Sequence, residues 1–213
     1  MESTRAASHL AALQSGIRVE ALTVIWMTLE GVVAIAAGVA AGSGLLVAFG
    51  ADSVIELISG GVLLWRLAAE TRQTDLTQIE AVERRATRIS AVLLALLCVY
   101  VVAAAVIGLL GHAEPESSVV GILISVGALI FMPLLARTKR SINQQLESAA
   151  LRADVAESVT CAYMAGTVLI GLALNGVLGW WWAEYIAVAV FLYWLFGETR
   201  EAFEAAGGNE DPA

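Results

Sequence analysis

Apolar residues gather into six runs of about 20 residues, each long enough to cross a lipid bilayer as an α-helix. The runs are 21–41, interrupted by Glu30; 45–67, carrying Asp52 and Glu56; 89–110; 119–136, with Pro133 near its end; 151–174, carrying Asp154, Glu157 and Cys161; and 180–196. Turn chemistry separates several of them: Gly42-Ser43-Gly44, the Gly- and Pro-containing loop 111–116, and the stretch from Asn175 to Gly179. Two longer connections, 68–88 and 137–145, are polar, and the Glu and Arg spacing of the first suits a helix continuing into water. The pattern predicts an all-α polytopic membrane protein. A six-helix transmembrane bundle fills residues 19–197, between a polar N-terminus (1–18) and a short polar tail (198–213).

Charge fixes the expected orientation. An even number of spans puts both termini on one side, and all twelve Lys and Arg then fall on that side or at its membrane edge. Arg5 and Arg18 precede the first span. Arg66, Arg72, Arg84, Arg85 and Arg88 surround the second connection, Arg137, Lys139, Arg140 and Arg152 the fourth, and Arg200 follows the sixth span. The other connections have none, so the termini are expected to be cytoplasmic and the protein a multi-pass component of the cell membrane. Composition agrees: 15% of residues are charged, against about 25% in a soluble domain. No nucleic-acid partner is expected. Residues 1–15 lack the charged, apolar and small-residue order of a cleaved signal peptide, so the first span is read as the insertion signal. Cys98 and Cys161 both lie in apolar runs and suggest no disulfide framework. Trp180, Trp181 and Trp182 fall at the outer surface as interfacial anchors. Gly38 and Gly42 have the GxxxG spacing of close helix approach. Cys98 is read as packing and His112 as an exposed loop residue.

The candidate chemistry lies in the acids inside the spans. Asp52 and Glu56 are four residues apart and share a helix face. A charge at such depth costs roughly 2.5–3.5 kcal/mol on insertion scales, so the pair calls for a bound cation, a shared proton or a basic partner. In the fifth run Asp154, Glu157 and Cys161 share a face, and Glu157 with Cys161 repeats the four-residue step. Two helices each presenting such a pair can build a four-ligand metal site from Asp52, Glu56, Glu157 and Cys161. That donor set favours Zn2+, with Co2+, Cd2+, Fe2+ or Mn2+ as further candidates. Asp154 is an accessory candidate or the partner of Arg152 or of an arginine of the second connection; Glu30 is a second accessory candidate. No HExxH or Walker motif and no nucleophile–base pairing is present, and neither an enzyme nor a resident cofactor is expected.

The order of spans and the two matched pairs resemble the cation diffusion facilitator (cation efflux) family. Ala150-Leu-Arg-Ala-Asp-Val-Ala-Glu157 is similar to that family's fifth-helix opening, where Ala-Asp is followed three and seven residues later by metal ligands. By that match Glu157 and Cys161 stand where His and Asp are usual, and Asp52 and Glu56 take the second-helix places. Phe49-Gly-Ala-Asp-Ser-Val-Ile-Glu56 and Gly179-Trp-Trp-Trp-Ala-Glu184 resemble a compact branch confined to the membrane domain; only residues 197–213 follow Phe196, so no cytoplasmic metal-binding domain is expected. The resemblance implies a homodimer that exports a divalent cation in exchange for protons by alternating access. The competing expectation is a non-transporting membrane protein, a metal sensor or an assembly partner.

Overall fold

A backbone in lipid has no water to bond to, and the α-helix satisfies its N–H and C=O groups within one segment. The computed structural model describes residues 2–71, 76–110 and 115–207, with side chains described for 9–71, 88–89, 91–110, 115–148 and 150–207. It holds six helices and, among the described residues, no strand: α1 (Glu2–Ala41), α2 (Gly44–Thr71), α3 (Leu76–Leu110), α4 (Val119–Leu146), α5 (Ala149–Leu178) and α6 (Trp182–Gly207). His112 and Arg72, and the side chains of Arg5, Arg84 and Arg85, lie outside the described residues.

Local chemistry sets the ends. Gly42, at φ +65°, closes α1, and the Ser43 hydroxyl accepts from the Leu46 N–H at the start of α2. Ser118 and Ser148 cap α4 and α5 through their side chains, accepting from Gly121 N and Leu151 N. Gly179, in the left-handed region, ends α5. Pro133 lies inside α4 rather than ending it, as membrane helices tolerate. The expected tail is also partly helical: residues 198–207 continue α6, with Arg200 Nε 2.7 Å from Glu204 Oε1 one turn on.

The helices alternate in direction. Along α1 and α2, Gly16 meets Leu67, Gly60 meets Glu20, Gly50 meets Ile35 and Gly38 meets Val47. Helices α1, α2, α4 and α5 close into a ring in which each touches its two neighbours, and α3 and α6 pair beside it, α3 on α2 and α6 on α5. Leu45, Leu46, Phe49, Met132, Met164, Leu172 and Phe191 fill the core. A smaller cluster of Leu13, Leu63, Leu67 and Leu151 sits toward the end that carries the termini.

Among the described residues five helices are long and apolar enough to cross a membrane; α6 is not among them. It holds Glu184 and Glu198 within its length, and it packs against α3 and α5 as a member of the bundle. The fold is that of a polytopic helical membrane protein.

Of the expected GxxxG pair, Gly42 forms the turn and Gly38 makes the close contact. A Cβ at Gly38 would stand 2.7 Å from the Val47 backbone nitrogen. Backbone cannot yield as a side-chain tip does, so Gly38→Ala is expected to destabilise the α1–α2 hairpin by about 1–3 kcal/mol. A lowered Tm in detergent checks this, and an unchanged Tm would show that the hairpin has slack.

Candidate metal centre

Asp52 and Glu56 fall on the buried face of α2, one turn apart. Asp52 is fully buried and Glu56 is 5% exposed. Neither carboxylate has a hydrogen-bond partner on either oxygen among the described residues. Buried polar groups are nearly always bonded, so four unbonded carboxylate oxygens in one place are an unusual concentration of uncompensated charge. A third acid joins them from α6: one oxygen each of Asp52, Glu56 and Glu198 lie within 4.8 Å of one another.

Two of the trio, Glu56 and Glu198, line a cavity of about 210 Å³ together with Ser59, Glu157, Thr160 and Glu201. The lining continues to Ala205, on the last turns of α6, so the cavity runs toward the end of the bundle that carries the termini. Glu157 enters it from α5 and accepts a hydrogen bond from Ser59 Oγ at 3.4 Å. Opposite-facing helices thus bring Glu157 beside Glu56, while the three acids within 4.8 Å are those of α2 and α6.

Cys161 and Glu30 bond to one another beside this trio. Glu30, on α1, is fully buried. It accepts from Ser53 Oγ at 2.7 Å, from Trp26 Nε1 and from the Cys161 thiol at 3.6 Å. These bonds tie α1, α2 and α5 together, and they leave Glu30 well satisfied where Asp52 is not. Cys98, read as packing, is buried and lies 3.4 Å from Thr199 Oγ1.

Asp154 pairs differently from expectation. Its Oδ2 lies 2.6 Å from Lys139 Nζ, and the same ammonium is 2.9 Å from Glu20 Oε2. All three residues are buried. Arg152, two residues away, is exposed, since a two-residue step turns to the opposite side of a helix. The triad joins α4, α5 and α1.

At the opposite end of the bundle a polar knot closes the helices. Glu184 Oε2 accepts from Ser43 Oγ at 2.7 Å, and Glu184 Oε1 from Asn175 Nδ2 at 3.1 Å. Asn175 Nδ2 also donates to the Pro115 carbonyl at 2.8 Å. The knot links the α1–α2 turn, the end of α5, the start of α6 and the segment before α4. Trp180 and Trp182 stack beside it with centroids 5.2 Å apart.

Sequence reading did not single out Glu198, Glu20, Lys139 or the bonding role of Glu184. Helical phase carries the signal for the first: Glu198 is three and seven residues beyond the buried Leu195 and Phe191. Lys139 likewise follows Met132, Leu135 and Ala136 on their buried face.

Fold and site together define a polytopic membrane protein that keeps a buried acidic cluster inside its helical bundle. The chain belongs to the cation efflux family: residues 21–206 match its cation efflux transmembrane domain. A stretch of 95 residues is 32% identical to the cation-efflux pump FieF of Escherichia fergusonii, covering 44% of this chain and 31% of that protein. The matched stretch therefore spans about a third of that relative's length. The family read from Phe49–Glu56 and Ala150–Glu157 is thus the family matched.

Proposed function

We propose that the protein carries a divalent metal cation across the cell membrane in exchange for protons, with Asp52 and Glu56 at the centre of the transport site and Glu157 beside them. The observation that carries this reading is the pair itself: two carboxylates buried in α2, without a hydrogen-bond partner on any of their four oxygens among the described residues, with Glu56 lining a cavity shared with Glu157. Buried carboxylates of this kind need a cation or protons to neutralise them. Metal binds their deprotonated form, so metal and protons compete for one place. Exposure of that place to each side in turn converts the competition into exchange.

The direction proposed is export, after the relative whose name is that of a cation-efflux pump. A homodimer in the plasma membrane completes the proposal and rests on family resemblance. The cargo is a divalent transition metal; the sequence favours Zn2+ through a donor set that includes Cys161, whose sulfur lies instead against Glu30. The polar knot of Ser43, Asn175 and Glu184 supports an inward-open reading, since it ties the helix ends away from the cavity.

Everted vesicles containing the protein are expected to accumulate metal saturably when their interior is acid, and to lose the accumulation when the gradient is collapsed. Acidifying the outer medium lowers uptake, because protons then occupy the carboxylates on the loading side. Saturable binding without flux in proteoliposomes would overturn the transport reading in favour of a sensor. Flux that does not saturate would point to a channel.

A further inference from the structure

We infer that Glu198 of α6 is a third ligand of the cation site, completing with Asp52 and Glu56 an all-oxygen donor set, and that the preferred ion is a hard or borderline divalent cation such as Mn2+ or Fe2+. The inference rests on the transport-site reading above and narrows its chemistry.

Three observations converge. First, the carboxylates of Asp52, Glu56 and Glu198 each offer an oxygen within 4.8 Å of the others. Small side-chain rotations bring such a set to the roughly 2.0–2.2 Å at which carboxylate oxygens hold a divalent ion. Second, Asp52 and Glu56 are at least nine-tenths buried, and neither oxygen of either has a partner among the described residues. The lone pairs a cation would use are not committed elsewhere. Glu198 Oε1 is unpartnered too.

Third, the sulfur is engaged. The Cys161 sulfur lies 3.6 Å from Glu30 Oε1, an acceptor that favours the protonated thiol. Metals bind the thiolate. Glu30 is saturated by Ser53, Trp26 and Cys161 and is likewise unavailable. The polar side chains that line the adjoining cavity are all oxygen donors: Ser59, Glu157, Thr160 and Glu201 beside Glu56 and Glu198. Carboxylate and water ligands suit Mn2+, whereas Cd2+ draws its affinity from sulfur. The assignment also gives α6 a direct part in cargo binding, since it bridges that helix to α2.

Metal titration of the purified full-length protein with Mn2+, Zn2+ and Cd2+ tests this. Glu198→Gln removes one anionic oxygen at nearly constant volume and is expected to weaken Mn2+ binding at least about tenfold. Glu198→Asp keeps the charge at shorter reach and is expected to fall between the two, which guards against a loss caused by misfolding. Cys161→Ser is expected to leave Mn2+ binding within about twofold and to discriminate no more against Cd2+ than the wild type does. Unchanged Mn2+ affinity in Glu198→Gln overturns the third ligand. A selective loss of Cd2+ and Zn2+ in Cys161→Ser overturns the all-oxygen set and restores the thiolate. If the wild type binds none of the three ions, the transport site itself falls, a result distinct from either.

Discussion

Asp52→Asn is expected to insert and fold, and to move divalent cation in everted vesicles no faster than vesicles lacking the protein. The substitution keeps the side-chain volume, so packing of the fully buried position is retained. It removes an uncompensated charge, so stability should hold or rise. What it loses is the anionic oxygen proposed to bind metal and to carry the competing proton. Glu56→Gln is expected to behave alike, one turn further along the same face. The decisive combination is normal Tm with absent flux. Normal flux in both variants would dismiss α2 as the seat of transport, whatever else the bundle does.

Lys139→Met should have the largest effect on stability. The ammonium lies 2.6 Å from Asp154 and 2.9 Å from Glu20, and all three residues are almost entirely buried. Removing the cation leaves two acids facing each other without a counter-charge, a loss of about 3–5 kcal/mol for a broken buried pair. The protein can relieve this only by protonating them or by parting α1 from α5. Adding Glu20→Gln and Asp154→Asn to Lys139→Met is expected to restore most of the lost Tm, because no buried charge then remains. If the single variant melts like the wild type, the triad is not buried as described. If the triple variant stays as unstable as the single one, lost packing of the lysine stem rather than charge explains the defect.

The helices were legible because lipid simplifies the code. A spanning helix needs an unbroken apolar run, and glycine or serine at the breaks announces the turns. The pairing of Asp52 with Glu56 was legible from helical phase alone. What sequence could not give is partnership across helices. Asp154 had an arginine two residues away and took a lysine from another helix instead, because nearness along a helix does not mean a shared face. Cys161 has ligand spacing with Glu157, yet its thiol turns to Glu30 on α1. Glu198 was hidden by its position just past the apolar run, where a residue reads as tail; α6 continues through it and holds it in phase with the core. Lys139 was counted with the charges that set orientation, and its burial depended on two acids supplied by other helices.

Helix α6 has one more consequence, for biogenesis. It is not among the described helices long and apolar enough to cross a membrane, and its acids at 184 and 198 make solitary insertion costlier by a few kcal/mol each. The groups that donate to Glu184 are those of Ser43 and Asn175, both synthesised earlier. Helix α6 is therefore expected to enter the membrane against a surface formed by the five helices before it. Insertion of α6 becomes a readout of whether the first five helices have been put together correctly.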